Sequence, residues 1–251
     1  MALENGTPWS HQLLYCNTTP RSIQDAQACC ALYLVKNSVN APLVLSTISS
    51  RASELASQPL PTSQRDLLAH THALLLYSIM RLFDGDIQAL KLAEQDMPVL
   101  ESAARALLPL IIFPDPQTAS QALNVYPLST AREFWNDWIL QESARRTFLM
   151  VQIYRQIYRR LCGMPPLQCD GQMYLCRYWT MSAHLWGATD ALEFAEAWGL
   201  RKQFLTVNAN FRAMVDVAMA EDVDDYSKMM LTGLMGIDEF KGWMMSRGGS
   251  L

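Results

Sequence analysis

The chain has few charges and no surplus of positive ones. Of 251 residues, 18% are charged and the formal net charge is −4. A protein that grips phosphate backbones needs a basic face, and none is evident in this balance. No two cysteines stand two residues apart: the six lie at 16, 29, 30, 162, 169 and 176. A zinc cluster built on paired thiolates is thereby excluded from this sequence. There is no G-x-S-x-G turn and no glycine-rich phosphate loop, so neither common hydrolase nor nucleotide chemistry is signalled. Apolar runs are short. The longest, Ala73 to Tyr77 and Leu107 to Phe113, fall well below the ~20 residues of a spanning helix. The first twelve residues are polar and lack the cationic and apolar segments of a signal peptide, which points to an intracellular protein with reduced thiols.

Half of the residues are hydrophobic, and 14 Met and seven Trp suit an adaptable, well-anchored interior. Their spacing is helical almost throughout. Ser22 and Asp25 suggest a cap ahead of Ala26, Cys29, Cys30, Tyr33 and Leu34. Pro42 suits the first turn of a second helix that runs to about Ala56. A third spans about Gln64 to Phe83, with Leu68, Leu75, Ile79 and Leu82 on one face. Gly85 and Asp86 read as a left-handed stop followed by a cap, opening a helix to about Leu108. A long helix from Thr130 to about Leu161 ends at Gly163-Met164-Pro165-Pro166. Four shorter helices follow, over about 189–197, 208–220, 224–231 and 237–245, with a stripe of Val207, Phe211, Met214, Val215 and Ala218. No strand pattern of useful length is present. The expectation is an all-α array of about eight to ten helices, forming a single regulatory-type helical domain over 1–251 with a frayed tail at 246–251.

Candidate chemistry is sparse. Cys162, Cys169 and Cys176, spaced by seven, would need His184 as a fourth ligand to form a metal site, and small buried hydrophobes are the better reading. No cofactor and no metal are expected. Glu221, Asp222, Asp224 and Asp225, like Asp84 and Asp86, are better explained by helix N-termini than by a divalent cation. His70 and His72 stand two apart on one helix and face different ways, and no catalytic partner is legible for any histidine.

One constellation stands out. Trp135, Trp138, Glu142 and Arg145 share a stripe of the long helix, and Arg146 lies four residues after Glu142. The structural reading is an ion pair between Glu142 and one of the arginines, bracketed by indoles; the functional reading is an anion site on Arg145 and Arg146. The structural reading is preferred. Met173, Tyr174, Tyr178, Trp179 and Trp186, large residues in an irregular stretch, are candidates to line a pocket, with plain core as the simpler alternative.

The run from Trp135 to Thr147 resembles the W-x-x-W-x-x-x-E-S-x-R-R-T segment in the regulatory domain of fungal binuclear zinc-cluster transcription factors. Pro20 to Ala26, Arg81 to Asp86, Leu185-Trp186 with Trp198, and Val223 to Tyr226 are similar to further stretches of that domain. Gly187-Ala188 departs from the acidic residue often found there. The resemblance implies an all-helical domain that regulates transcription, usually beside a zinc cluster that this sequence lacks. It implies a nuclear place, protein partners or self-association, an apolar small-molecule ligand in some members, a link to secondary metabolism, no membrane, and here no direct DNA binding. A stand-alone small-molecule binding protein, or a cyclase or isomerase that reuses the helical pocket without a motif, are the alternatives.

Overall fold

In a computed structural model of the chain, residues 6–111, 123–166, 178–207 and 210–250 are described. The fold is all-α. Helices α1 Arg21–Leu34, α2 Ala41–Ala56, α3 Gln64–Leu82, α4 Ile87–Ala106 and α5 Leu128–Leu161 come first, the last being 34 residues long. Next are β1 Tyr178–Thr180, α6 Ala183–Trp186, α7 Ala191–Leu200, β2 Leu205–Val207, α8 Arg212–Val215, α9 Asp225–Met235 and α10 Ile237–Ser246. Among the described residues this makes ten helices, two of them single turns. The chain divides into two compact units: Met1–Ile111 with Ser143–Cys169, and Ile112–Glu142 with Asp170–Leu251.

In the first unit α3 is the central element, packed by α1, α2 and α4. The one-sided stripe expected for it is too modest. Fifteen of its 19 residues are buried, and Ile79, assigned to the inner face, is only partly so. A helix surrounded by neighbours buries every side, so its polar residues must find partners inside. Thr71 returns its hydroxyl to the Leu67 carbonyl at 2.8 Å. Arg81, fully buried, bonds the Tyr77 carbonyl through Nε and meets Asp96 at 2.9 Å, an ion pair whose N–H does not point along the contact. Tyr154 and Tyr158 of α5 reach Ser78 and Glu94 with their hydroxyls.

The punctuation holds in its main points. Gly85 has φ +92°, and the Asp86 carboxylate accepts from the Ala89 N–H at 2.7 Å, so α3 stops and α4 starts where the residues say. Asp84 does not cap; it pairs with Lys36. Ser22 and Asp25 do not cap α1 either. That helix starts after Pro20 without a side-chain cap, and Asp25 instead accepts from Arg21 on the surface at 3.0 Å.

The second unit departs further from expectation. Two three-residue strands pair antiparallel, Tyr178 with Val207 and Thr180 with Leu205, too short to show alternation in a sequence. Of the helix expected over 208–220, residues 208 and 209 lie outside the described residues, and among the rest the helix runs over Arg212–Val215. Phe211, Met214 and Ala218 are buried as their spacing suggested, but the Val215 carbonyl accepts from the Trp243 indole at 2.9 Å. A carbonyl taken by another helix no longer favours continuation. Residues 246–249, expected to fray, are tied back: the Arg247 carbonyl accepts from Ala220, and its guanidinium bonds the Asp216 carbonyl at 2.9 Å.

The acidic run at 221–225 works as capping. Asp224 Oδ1 accepts from the Ser227 N–H at 2.8 Å and from its hydroxyl at 2.7 Å, opening α9, while Asp222 accepts from the Met219 N–H. The replacement Asp224→Ala should cost about 1–2 kcal/mol. Thermal unfolding should then show a Tm lower by about 2–6 °C, with no change on adding Mg²⁺ or Ca²⁺.

Candidate functional site

The segment from Trp135 to Thr147 falls into two halves, each with its own job. Trp135 and Trp138 belong to the second unit and are buried against α7. The Trp138 ring lies 4.9 Å from Phe194 and 6.2 Å from Trp186, edge-on to the latter. Trp135 lies 6.3 Å from Phe194, which in turn meets Trp198 at 5.4 Å. Large rings one helical turn apart on α5 thus clamp α7, whose start Asp190 sets by capping Leu192 and Glu193. Glu142, 1% exposed, accepts from the Thr180 N–H at 2.8 Å and so anchors β1 to α5.

The second half faces the first unit. Arg145 and Arg146 are 4% and 0% exposed, and Arg146 Nη1 donates to the Pro8 carbonyl at 3.1 Å. The Ser143 hydroxyl accepts from the His11 N–H. Thr147 donates to the Ser143 carbonyl at 2.6 Å, so its oxygen is left to accept from His72 Nε2, 2.5 Å away. That assignment makes His72 Nδ1 an acceptor, satisfied by the Tyr15 hydroxyl at 2.9 Å. The result is a one-directional buried chain from Tyr15 through His72 and Thr147 to the Ser143 backbone. Burial pushes the His72 imidazole down to about 3, so it stays neutral, as the chain requires.

Of the residues proposed as a pocket lining, Trp179 and Trp186 pack on different partners. Trp186 sits with Trp138, whereas Trp179 packs on Tyr226 at 5.0 Å and on Phe211 at 5.9 Å. Tyr178 opens β1 opposite Val207. Met173 and Tyr174 lie outside the described residues. Cys162 is exposed, not a buried hydrophobe: it directly follows the end of α5, at the turn that Gly163 makes with φ +66°. Cys169 and Cys176 lie outside the described residues, among which no three metal-ligating side chains converge.

The sequence placed His72 on α3 but did not reveal its partners. Its signal was present: Ala69-His-Thr-His-Ala73 is a polar triplet inside an otherwise apolar helix, and buried polar groups demand partners. Also unforeseen is a cleft of about 690 Å³ beside α6 and α7. His184, Glu193, Glu196, Arg201, Glu221 and Asp222 are among its walls. Burial, with Arg201 nearby, lowers the His184 imidazole. Glu193 and Asp222 are committed to backbone N–H groups.

The chain is similar to the transcription factor gsfR2 of Penicillium aethiopicum, 28% identical over 241 residues, which is 95% of this chain and 57% of that protein. It therefore spans little more than half the length of this curated relative. No family model and no solved structure matches. The likeness supports a fungal transcription-factor affinity. Among the described residues no helix is long and apolar enough to cross a membrane.

Two outcomes follow from the site. Glu142→Ala leaves the buried Thr180 N–H without its acceptor and should cost about 1–3 kcal/mol in urea unfolding, with Glu142→Gln recovering part of it. The His72 imidazole binds a proton near pH 6.5 when unfolded but only near pH 3 when folded. Its contribution is therefore complete above about pH 6.5 and falls as pH drops toward 3, by at most roughly 1.4 kcal/mol per pH unit. The buried His70, also lowered, acts in the same direction. In His72→Gln this pH slope should shrink, as measured by urea midpoints between pH 7 and 4.

Proposed function

We propose that the chain is a transcription-regulator-like protein of fungal type, tied to secondary-metabolite gene control. It acts through protein partners or self-association, a reading supported by the lack of any cysteine pair two residues apart in this sequence. The carrying observation is the likeness to a transcription factor over 95% of the chain. The indole-and-arginine segment of α5 supports it from the structural side. Its Trp135, Trp138, Glu142, Arg145 and Arg146 side chains are buried, and Glu142 and Arg146 tie neighbouring segments together. A net charge of −4 agrees with action through proteins rather than through a phosphate backbone. The place of action under this reading is the nucleus.

A second reading, small-molecule binding, draws on the cleft beside α6 and α7. Its polar walls suit a charged or hydrogen-bonding ligand better than the apolar one expected from the resemblance.

Deletion of the gene separates these readings. Under the regulatory one, transcripts of a set of biosynthetic genes fall on deletion, and a fluorescent fusion collects in nuclei. Loss of a single metabolite with every transcript unchanged would instead mark an enzyme and defeat the proposal. A ligand-dependent rise in Tm without turnover, and without transcript change, would favour the second reading.

A further inference from the structure

Residues 7–16 have almost no regular structure of their own. Thr7 and Ser10 bridge, and Leu14 and Cys16 close short turns onto His11 and Leu13. What holds the segment is therefore its side chains and its bonds to other elements. Trp9, Leu14 and Tyr15 are buried. Three polar ties reach across the sequence: the Pro8 carbonyl to Arg146, the His11 N–H to the Ser143 hydroxyl, and the Tyr15 hydroxyl to His72. Two come from the Ser143–Thr147 part of α5, and the third ends on the histidine that Thr147 holds.

We propose that residues 7–16 are a releasable strap, seated in a peptide slot built by α3 and the Ser143–Thr147 segment of α5. This goes beyond the regulatory reading and does not rest on it. Each receiving group is a buried donor or acceptor that meets backbone or a terminal hydroxyl of the strap, which is how a slot holds an extended peptide. Fit is incomplete on the strap side. The Trp9 indole N–H and the Thr7 hydroxyl are buried without a hydrogen-bond partner among the described residues. Unsatisfied groups lower the cost of opening, so the strap should leave before the helices beneath it unfold. The vacated slot would then present His72, Ser143 and Arg146 to a segment of like chemistry: apolar anchors separated by a free carbonyl and a free N–H.

Hydrogen exchange on the full chain tests the strap, and a labelled synthetic peptide of residues 6–16 tests the slot. The amides of 7–16 should exchange through an opening distinct from that of α3, with a weaker dependence on denaturant. Tyr15→Phe removes one buried hydrogen bond and should speed strap exchange about tenfold, leaving α9 and α10 unchanged. The peptide should bind Tyr15→Phe about tenfold more tightly than it binds the parent chain, whose slot is filled. Ser143→Ala, which removes the acceptor for the His11 N–H, should reproduce the faster strap exchange but not the tighter peptide binding, because the peptide loses the same bond; it stands in for the exchange test should Tyr15→Phe not fold. The proposal fails if the strap exchanges in step with α3 at every denaturant concentration. It fails equally if the variants speed exchange uniformly across the chain, or if the peptide binds none of the three proteins.

Discussion

In the first unit, the registration of α3 against α5 depends on the buried polar contact between His72 and Thr147. Tyr15, α3 and α5 meet at this one imidazole, and both of its ring nitrogens are used. A histidine sunk among leucines is tolerable only when each nitrogen has a partner and the ring carries no charge. Both conditions hold, with burial keeping the ring neutral far below physiological pH. The Thr147 hydroxyl sets the direction of the chain, because its donation to the Ser143 carbonyl leaves only its lone pairs for the ring. Apolar packing alone would let α3 and α5 slide or rotate past each other with little penalty. A directional chain of hydrogen bonds does not.

The same logic assigns work to a motif that looks like a ligand site in one dimension. Two adjacent arginines after a glutamate invite an anion. In the folded chain Arg146 meets a carbonyl oxygen of the chain itself, and Glu142 meets a backbone N–H. Both charged side chains are buried, so their value lies in fixing neighbouring segments and not in meeting solvent. The tryptophans of the motif do similar work with area instead of charge, gathering Phe194, Trp186 and Trp198 around one stretch of α5.

Helix identity and most boundaries were legible because they rest on local chemistry. Pro42 inside the first turn of α2, Gly85 at a positive φ, and the caps at Asp86 and Asp224 each act within four residues. The readings that failed depend on distant residues. Cys162 proved exposed at the turn after α5, and the helix expected over 208–220 ends at Val215, where Trp243 captures a carbonyl 28 residues earlier. Of the candidate site, Trp135, Trp138 and Glu142 were recognisable from spacing, but their partners were not. No spacing rule connects Glu142 to Thr180 or Trp138 to Phe194.

By itself the sequence determined an all-helical class, the positions of most helices and the segment of α5 that matters most. It did so because periodicity, caps and glycine conformations are set by near neighbours along the chain. Tertiary structure decided which polar groups are buried together, that His72 is the centre of one such group, and that residues 7–16 lie against α3 and α5. Those outcomes required segments far apart in sequence to meet, and the desolvation of a polar atom exists only once they do.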